Sequence, residues 1–316
     1  MSAALAHLSL AEGTWKNKDS HFRSWTNFCE QYGFSAFPAS NEALVLYVTY
    51  LAMIKSRAVG TIRNHLSSIK TYHAQFEVFV PSPKENLKLK MVLRGAQKFL
   101  KRRILQKLPI TPQILLALLQ KVPVSHPLHV LYIVLFLSFL RPSSIMPNTP
   151  SEFDPKKHLT WGDIDWLPDG VILNIKFSKT LQCLERNLRI PLSSSPQKPH
   201  LDPAKALVSL LANPGYPSRP VDPIFSTKDY AGNWIPMARS NSYPHFKTHI
   251  QSIGLDKTKF GFASFRRGAL SHGILSCGNI DLLKLQGDWR SSCYNVYISL
   301  PAEARFSVSR AMINAV

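Results

Sequence analysis

The stretch from Val122 to Leu140 holds no Asp, Glu, Lys or Arg, and it constrains the fold more than any other part of the chain. It contains Pro123, His126, Pro127 and His129, and it ends at Arg141. A membrane-spanning helix needs about 20 predominantly apolar residues. This interrupted run is instead expected to form a helix buried on all sides, which other layers must cover. At 316 residues the chain is long enough for two domains with their own cores. Its 45% apolar and 18% charged residues describe a folded chain.

Charge narrows the class of partner. Lys and Arg number 38 against 19 Asp and Glu, a formal net charge of +19. Such an excess disfavours an enzyme of neutral metabolites and points to a polyanion, nucleic acid ahead of a membrane surface. Cys29, Cys183, Cys277 and Cys293 follow no metal-like spacing and read as reduced thiols of an intracellular protein. The start, Met-Ser-Ala-Ala-Leu-Ala-His, lacks a basic segment leading into an apolar core, so no secretory signal is expected.

Residues 1–107 read as a helical domain. In Thr61-Ile-Arg-Asn-His-Leu-Ser-Ser-Ile-Lys-Thr-Tyr, Ile62, Leu66 and Ile69 recur at helical spacing, with Arg63 and Lys70 on the other face. That face is either simply solvated or laid along a nucleic acid. Between Lys84 and Lys107 stand nine basic residues, among them Lys88, Arg94, Lys98, Lys101 and Arg102, against the single acid Glu85. So one-sided a charge repels itself unless something neutralises it, and the segment is expected to track phosphates into an interdomain linker. Lys98 to Arg103 also suits a nuclear address.

A second domain is expected over 108–316. Thr111 suits an N-cap and Pro112 the first helical position. After the apolar helices, Leu159 to Trp166, Val171 to Phe177 and Asn187 to Pro191 read as three short antiparallel strands, the first pair joined by the turn Pro168-Asp-Gly. Residues 193–235, rich in Pro and Ser, are expected to be a long surface connection with at most one helix, near Ala204 to Leu211. From Tyr243 onward the pattern is helical again.

Within that last part Arg266 is the anomaly. Ala269, Leu270 and Gly273 follow it by three, four and seven residues, so Arg266 sits amid an apolar helix face, with no Asp or Glu between Lys257 and Ile280. Two readings are open: a carboxylate brought from elsewhere in the fold, or an anion that is not part of the protein, matched by the guanidinium fork near a helix start. His245-Phe-Lys-Thr-His249 has the spacing of a metal pair, but Phe246 stands where a metalloprotease needs glutamate, and a surface or DNA-facing pair is expected. No carboxylate cluster suggests magnesium, so neither a metal site nor a cofactor is expected. What remains is Arg141, Lys179, Arg266, and Tyr294 and Tyr297 near the C-terminus. Such a set can cut DNA without metal: a phenol attacks phosphorus, arginines hold the phosphate oxygens and a lysine protonates the departing oxygen. Each residue also has a plainer reading, Arg141 as the complement of a helix end, Lys179 as a solvated hairpin residue, and Tyr297 as core.

Five segments in this order resemble the tyrosine recombinases, and most closely the recombinases of DIRS- and Ngaro-type retrotransposons, with Cryptons as near relatives. They are Phe139-Leu-Arg-Pro-Ser-Ser-Ile-Met-Pro, Phe177-Ser-Lys-Thr-Leu-Gln-Cys-Leu-Glu-Arg, Ile190-Pro-Leu, Ser264-Phe-Arg-Arg-Gly-Ala, and Leu285-Gln-Gly-Asp-Trp-Arg-Ser with Tyr294 and Tyr297. The resemblance implies a mainly α fold with a small antiparallel β-sheet, built as a helical core-binding domain and a mixed α/β catalytic domain. It implies cleavage and rejoining of DNA through a 3′-phosphotyrosine, for integration or recombination of a mobile element.

By position, Arg141 resembles the first catalytic arginine, Lys179 the hairpin lysine and Arg266 the arginine of the His-x-x-Arg motif. Trp289 falls where the family donates to the phosphate, ahead of Asp288, and Tyr297 stands at the spacing of the nucleophile, with Tyr294 in reserve. Arg63, Lys70, Lys88, Arg94, Lys98, Lys101, Arg102 and Arg267 are the expected DNA contacts. The partners implied are double-stranded DNA and further copies of the chain, in a tetramer on two DNA sites, in the nucleus and away from membranes. Residues 302–316 resemble the family's tails, which dock on a neighbouring copy. Two departures stand out. Ala263 occupies the histidine position of His-x-x-Arg, and Ser144 stands where many relatives carry a carboxylate. His272 projects about 120° from Arg266 on an ideal helix and is not expected to substitute. The alternative is therefore a DNA-binding protein of recombinase fold that is weakened or inactive in cleavage, and net charge alone would also suit RNA binding.

Overall fold

The computed structural model describes residues 8–100, 106–178, 181, 188–300, 306 and 312–313, and the chain divides into two units, Met1–Leu105 and Gln106–Val316. The first unit is helical: α1 (Glu12–Tyr32), α2 (Asn41–Thr49) continuing into a π-helical turn over Tyr50–Ile54, α3 (Val59–Gln75) and α4 (Leu87–Leu100). Local chemistry sets the ends. Ser40 caps α2 by accepting from the Ala43 N–H at 3.1 Å, and Gly33 closes α1 in the left-handed region. Trp25, Tyr47, Leu51, Ile62, Ile69 and Leu89 fill the core. As the spacing predicts, α3 buries Ile62, Leu66 and Ile69 and leaves Arg63 and Lys70 exposed.

This core also buries imidazoles. The Tyr47 hydroxyl lies 2.8 Å from His65 Nδ1, and burial, then the charges of His21 and Arg57, push His65 down to about 4 from 6.5. A histidine whose folded-state pKa lies below its unfolded one contributes its full stabilisation above the unfolded value. That contribution fades as pH falls from 6.5 toward about 4. Urea midpoints of the full chain should fall across this window, and His65→Gln should flatten the decline. An unchanged acid limb in the variant would assign the effect to other groups.

The second unit starts with α5 (Pro112–Leu119), whose N-cap Thr111 accepts from Ile114 N–H, and α6 (Pro127–Leu137), buried from Pro127 through Phe136. The uncharged run is thus the central helix of this unit, and among the described residues no helix is long and apolar enough to cross a membrane. Strands β1 (Ile164–Leu167), β2 (Gly170–Ile175) and β3 (Leu188–Ser193) form an antiparallel sheet in that order. Val171, Leu173 and Ile175 face the core with Leu188, Ile190 and Leu192, while Arg189 and Ser193 face solvent. Pro191 is tolerated because β3 lies at the sheet edge. Then follow α7 (Pro203–Leu210), β4 (Ser226–Lys228), β5 (Trp234–Pro236), α8 (Arg239–Ser252), α9 (Ala263–Cys277), α10 (Ile280–Gln286) and a 3-10 segment over Ser292–Tyr297.

Two expectations need correction. The first strand starts only at Ile164, because Trp161–Asp163 is a 3-10 turn whose Asp163 carboxylate accepts from both the Thr160 N–H and hydroxyl at 2.7 Å. Residues 193–235 are more than a surface connection with one helix. Besides α7 they bury Tyr216, Ile224 and Phe225 and form strand β4, which pairs with β5. Strands of three residues are too short for alternation to reveal them, and the buried Tyr216 hydroxyl, donating to Ile224 O and accepting from Ser226 N–H, holds the loop in place of regular structure.

Candidate active site

Two chain reversals bring the second unit's arginines together. At the end of α6, Phe139 takes a left-handed φ of 56°, uncommon for a residue with a side chain. That reversal turns Arg141 out at the head of a 3-10 turn, Pro142–Ser144. The second reversal follows α10, where Asp288 has φ 52°. Helix α9 stands between them and is fixed at its start by the segment entering the unit, with Leu108 N–H donating to Lys259 O at 2.8 Å and Ile110 N–H to Ser264 O at 2.9 Å. Gly268 permits this approach, since a Cβ there would lie 1.7 Å from Ile110 O.

Arg266 projects from α9 between the two reversals and is only 3% exposed. Its fork donates to Phe139 O and, at 2.6 Å, to Gly287 O, while Nε is buried without a partner. Its guanidinium lies 4.0 Å from the Trp289 ring centre and 5.3 Å from that of Tyr297. Burial and then the Arg141 charge lower its pKa to about 10, opposed by Tyr297 and Asp288. It therefore stays charged at neutral pH, next to a like charge.

Arg141, Arg266 and Tyr297 line one cavity of about 320 Å³. Lys107, Ser143, Asn148, Arg239, Tyr243 and Ala263 also line it, and no carboxylate does among the described residues. The 3-10 segment bearing Tyr297 is tied to α9 at two points, Arg267 donating to Val296 O at 2.6 Å and Ser299 N–H to Ser271 Oγ at 2.9 Å. Tyr294 instead faces Lys284, 5.5 Å from its ring centre, and is not among the cavity's lining residues. Ala263 is exposed, one turn before Arg266 on α9.

Other expected residues lie elsewhere. Trp289 is buried behind Arg266 rather than lining the cavity, and its indole N–H has no partner. Gly287 leaves room for that ring, which would lie 1.8 Å from a Cβ at this position. Asp288 is buried and accepts from Ser178 Oγ at 3.4 Å. Lys179, Lys101 and Arg102 fall outside the described residues. His272 is exposed and not among the cavity's lining residues, and Ser144 is buried while its neighbour Ser143 lines the cavity. In the first unit Arg63 and Lys70 of α3 share a cavity of about 430 Å³ with Lys90 and Arg94 of α4. Lys88 and Lys98 are exposed on α4.

Lys107, expected only as the end of the basic run, lines the cavity of Arg141 and Tyr297 with Arg239 and Tyr243, which no sequence pattern assigned to a site. Arg239, Tyr243 and Lys247 repeat every four residues, and both cations lie over the tyrosine ring, at 5.5 Å and 4.9 Å from its centre. That ladder was visible in the sequence, but nothing local said which cavity it would face.

No protein-family model matches the chain, and no curated protein matches it by sequence. Solved structures do. The Tn1549 transposon integrase, in complex with transposon right end DNA, is similar over 96% of this chain and 95% of its own, at 14% identity and a TM-score of 0.60. A lambda integrase tetramer bound to a Holliday junction gives 12% identity, coverage of 92% and 72%, and 0.56. XerH recombinase in a post-cleavage complex with a palindromic difH substrate gives 14%, coverage of 86% and 71%, and 0.53. The fold is that of the tyrosine recombinases: mainly α with small antiparallel sheets, in their two-domain architecture.

Proposed function

We propose that this protein cuts and rejoins DNA by way of a covalent link to Tyr297. The observation that carries the reading is one cavity holding Arg141, Arg266 and Tyr297 and no carboxylate. Two like charges face a space that no carboxylate lines among the described residues, and a phosphodiester would neutralise them. Arg141 and Arg266 then hold the non-bridging oxygens as charge builds on them. Tyr297 gives up its phenol proton to solvent, its oxygen attacks phosphorus, a Tyr–O–P bond forms, and the bond from phosphorus to the 5′ oxygen breaks. That oxygen leaves with a proton, for which Lys179 is the proposed donor. The freed 5′ hydroxyl of a second strand reverses the step, returning the phenol its proton. The phosphate ester bond is thereby conserved through the exchange.

Trp289 acts through Arg266, whose plane it stacks against. Arg63, Lys70, Arg94 and their neighbours on α3 and α4 are the proposed phosphate contacts of the first unit, with salt-dependent affinity. Several similar structures are DNA complexes, one of them a tetramer on a Holliday junction, in keeping with assembly of this chain on two DNA sites. A role in moving a retrotransposon-like element, and a nuclear place of action, rest on the sequence resemblance.

The test is covalent trapping. The full chain is incubated without metal with a pool of nicked randomised duplexes, and SDS-resistant protein–DNA adducts are isolated. The wild type should give an adduct that Tyr297→Phe abolishes and Tyr294→Phe retains. An adduct persisting in Tyr297→Phe would overturn the assignment. The second reading, a DNA-binding protein that no longer cuts, is favoured by Ala263, and it predicts tight binding with no wild-type adduct.

A further inference from the structure

Helix α8 borders two cavities. Arg239 and Tyr243 line the candidate active site, whereas Asn241, His245 and His249 line a second cavity of about 640 Å³. His126, Lys121 and Lys228 add basic groups to a lining that also includes Ser125, Asn213, Thr227 and Ser242, and no carboxylate borders it among the described residues. The spacing of His245 and His249 suggested a surface or DNA-facing pair; His245 is exposed, whereas His249 is half-buried and engages Tyr132.

The free hydrogen-bonding groups here can be assigned one by one. His126 Nδ1 accepts from Leu128 N–H at 3.1 Å, which leaves the ring proton on Nε2. The Tyr132 hydroxyl lies 2.9 Å from His249 Nδ1. Burial pushes that phenol's pKa up, so it keeps its proton, and as donor or acceptor it fits either neutral tautomer of His249. Asn241 Oδ1 accepts from Ala238 N–H at 2.8 Å, while its NH₂ is buried with no acceptor. Lys121, Lys228 and His245 are exposed at the rim, the Lys228 ammonium 5.1 Å from the Trp234 ring centre, so the cavity presents two ammonium groups and imidazoles with no carboxylate facing them among the described residues. Of the described lining groups only the Asn241 NH₂ is a buried donor without an acceptor, and such a group is costly. Nor do the imidazoles form a metal group among the described residues.

We infer that this cavity binds a small polyphosphate anion, at a site separate from the one that holds Tyr297. Its volume is that of an ordinary small-ligand pocket, larger than a single phosphate needs, and Trp234 forms part of an apolar wall. The shared chemistry is a phosphate chain, supplied either by a nucleotide or by inorganic polyphosphate. The histidines fit this occupant. Burial and then their mutual repulsion depress His126, and burial and then His245 depress His249. A bound anion would relieve both.

Calorimetric titration of the full chain with tripolyphosphate, at about 0.15 M salt to screen general attraction, tests the site. One saturable equivalent is expected. Lys121→Ala/Lys228→Ala should weaken it about tenfold or more, as should His245→Ala. The pair Lys198→Ala/Lys205→Ala removes the same charge from exposed positions outside the cavity and should change affinity less than about twofold. ATP binding about tenfold tighter than tripolyphosphate would support the nucleotide form of the site, and equal affinity the inorganic form. Equal losses in the two lysine pairs, or no saturable binding by the wild type, would overturn the proposal. So would a tenfold or greater loss of duplex DNA affinity in Lys121→Ala/Lys228→Ala, which would make the cavity part of a DNA surface. The test reads anion binding alone and is independent of whether the protein cuts DNA.

Discussion

Replacing Ala263 with histidine should raise the rate of adduct formation by about 10²–10⁴-fold, the usual contribution of a positioned proton-transfer group. Ala263 is the first residue of α9, one turn before Arg266, and it is exposed where it lines the cavity of Arg141 and Tyr297. An added imidazole therefore has space beside the reacting phosphate and displaces no core packing. A helix N-terminus disfavours a positive charge, and two arginines face the same cavity, so this imidazole should be neutral at pH 7. A neutral imidazole can donate to a phosphate oxygen through one nitrogen and accept the phenol proton through the other. Single-turnover rates of adduct formation would measure the gain. An adduct present in the wild type and unchanged by Ala263→His would show that the reaction does not draw on this position. Adduct only in Ala263→His would place the wild type among proteins that keep the DNA-binding fold without the chemistry.

The expected gain depends on a pattern the sequence displayed unevenly. Arg266 was legible because helical periodicity put a guanidinium among Ala269, Leu270 and Gly273, and it is indeed buried on that face. The open choice over its partner has a mixed resolution. Its fork is taken up by two backbone carbonyls, Asp288 contributes electrostatically, and Nε has no partner. Carbonyl partners carry no side-chain signature, so no reading of residue types could find them. The same holds for the left-handed turns at Phe139 and Asp288, which aim the site although neither residue is glycine. Sheet β1–β3 was legible from alternation over six residues in β2 and β3, whereas β4 and β5, three residues each, gave too little pattern to read. Lys107 illustrates a different limit. It reads as the last of a basic run, yet it lines the cavity of the second unit, because the chain from Leu108 to Ile110 pairs with the start of α9.

The two arginines should separate when each is removed. Arg266→Ala leaves the buried Phe139 and Gly287 carbonyls without their donor, and an unsatisfied buried group costs about 1–3 kcal/mol. Allowing for relief of a buried charge, we expect a loss of about 2–4 kcal/mol in unfolding free energy together with loss of adduct. Arg266→Lys should not rescue stability, since one ammonium cannot span both carbonyls. Arg141 is half-buried and makes no side-chain hydrogen bond among the described residues, and its charge opposes that of Arg266. Arg141→Ala should therefore be within about 0.5 kcal/mol of wild type or slightly more stable, while cutting adduct formation by about 10²–10³-fold. Urea unfolding and covalent trapping on the same samples decide the matter. Equal destabilisation by both substitutions would make Arg141 a structural partner and remove the reason for placing a phosphate between the arginines. Stability kept and cleavage lost in Arg141→Ala is the result expected of a charge whose partner is a bound phosphate rather than a group of the fold.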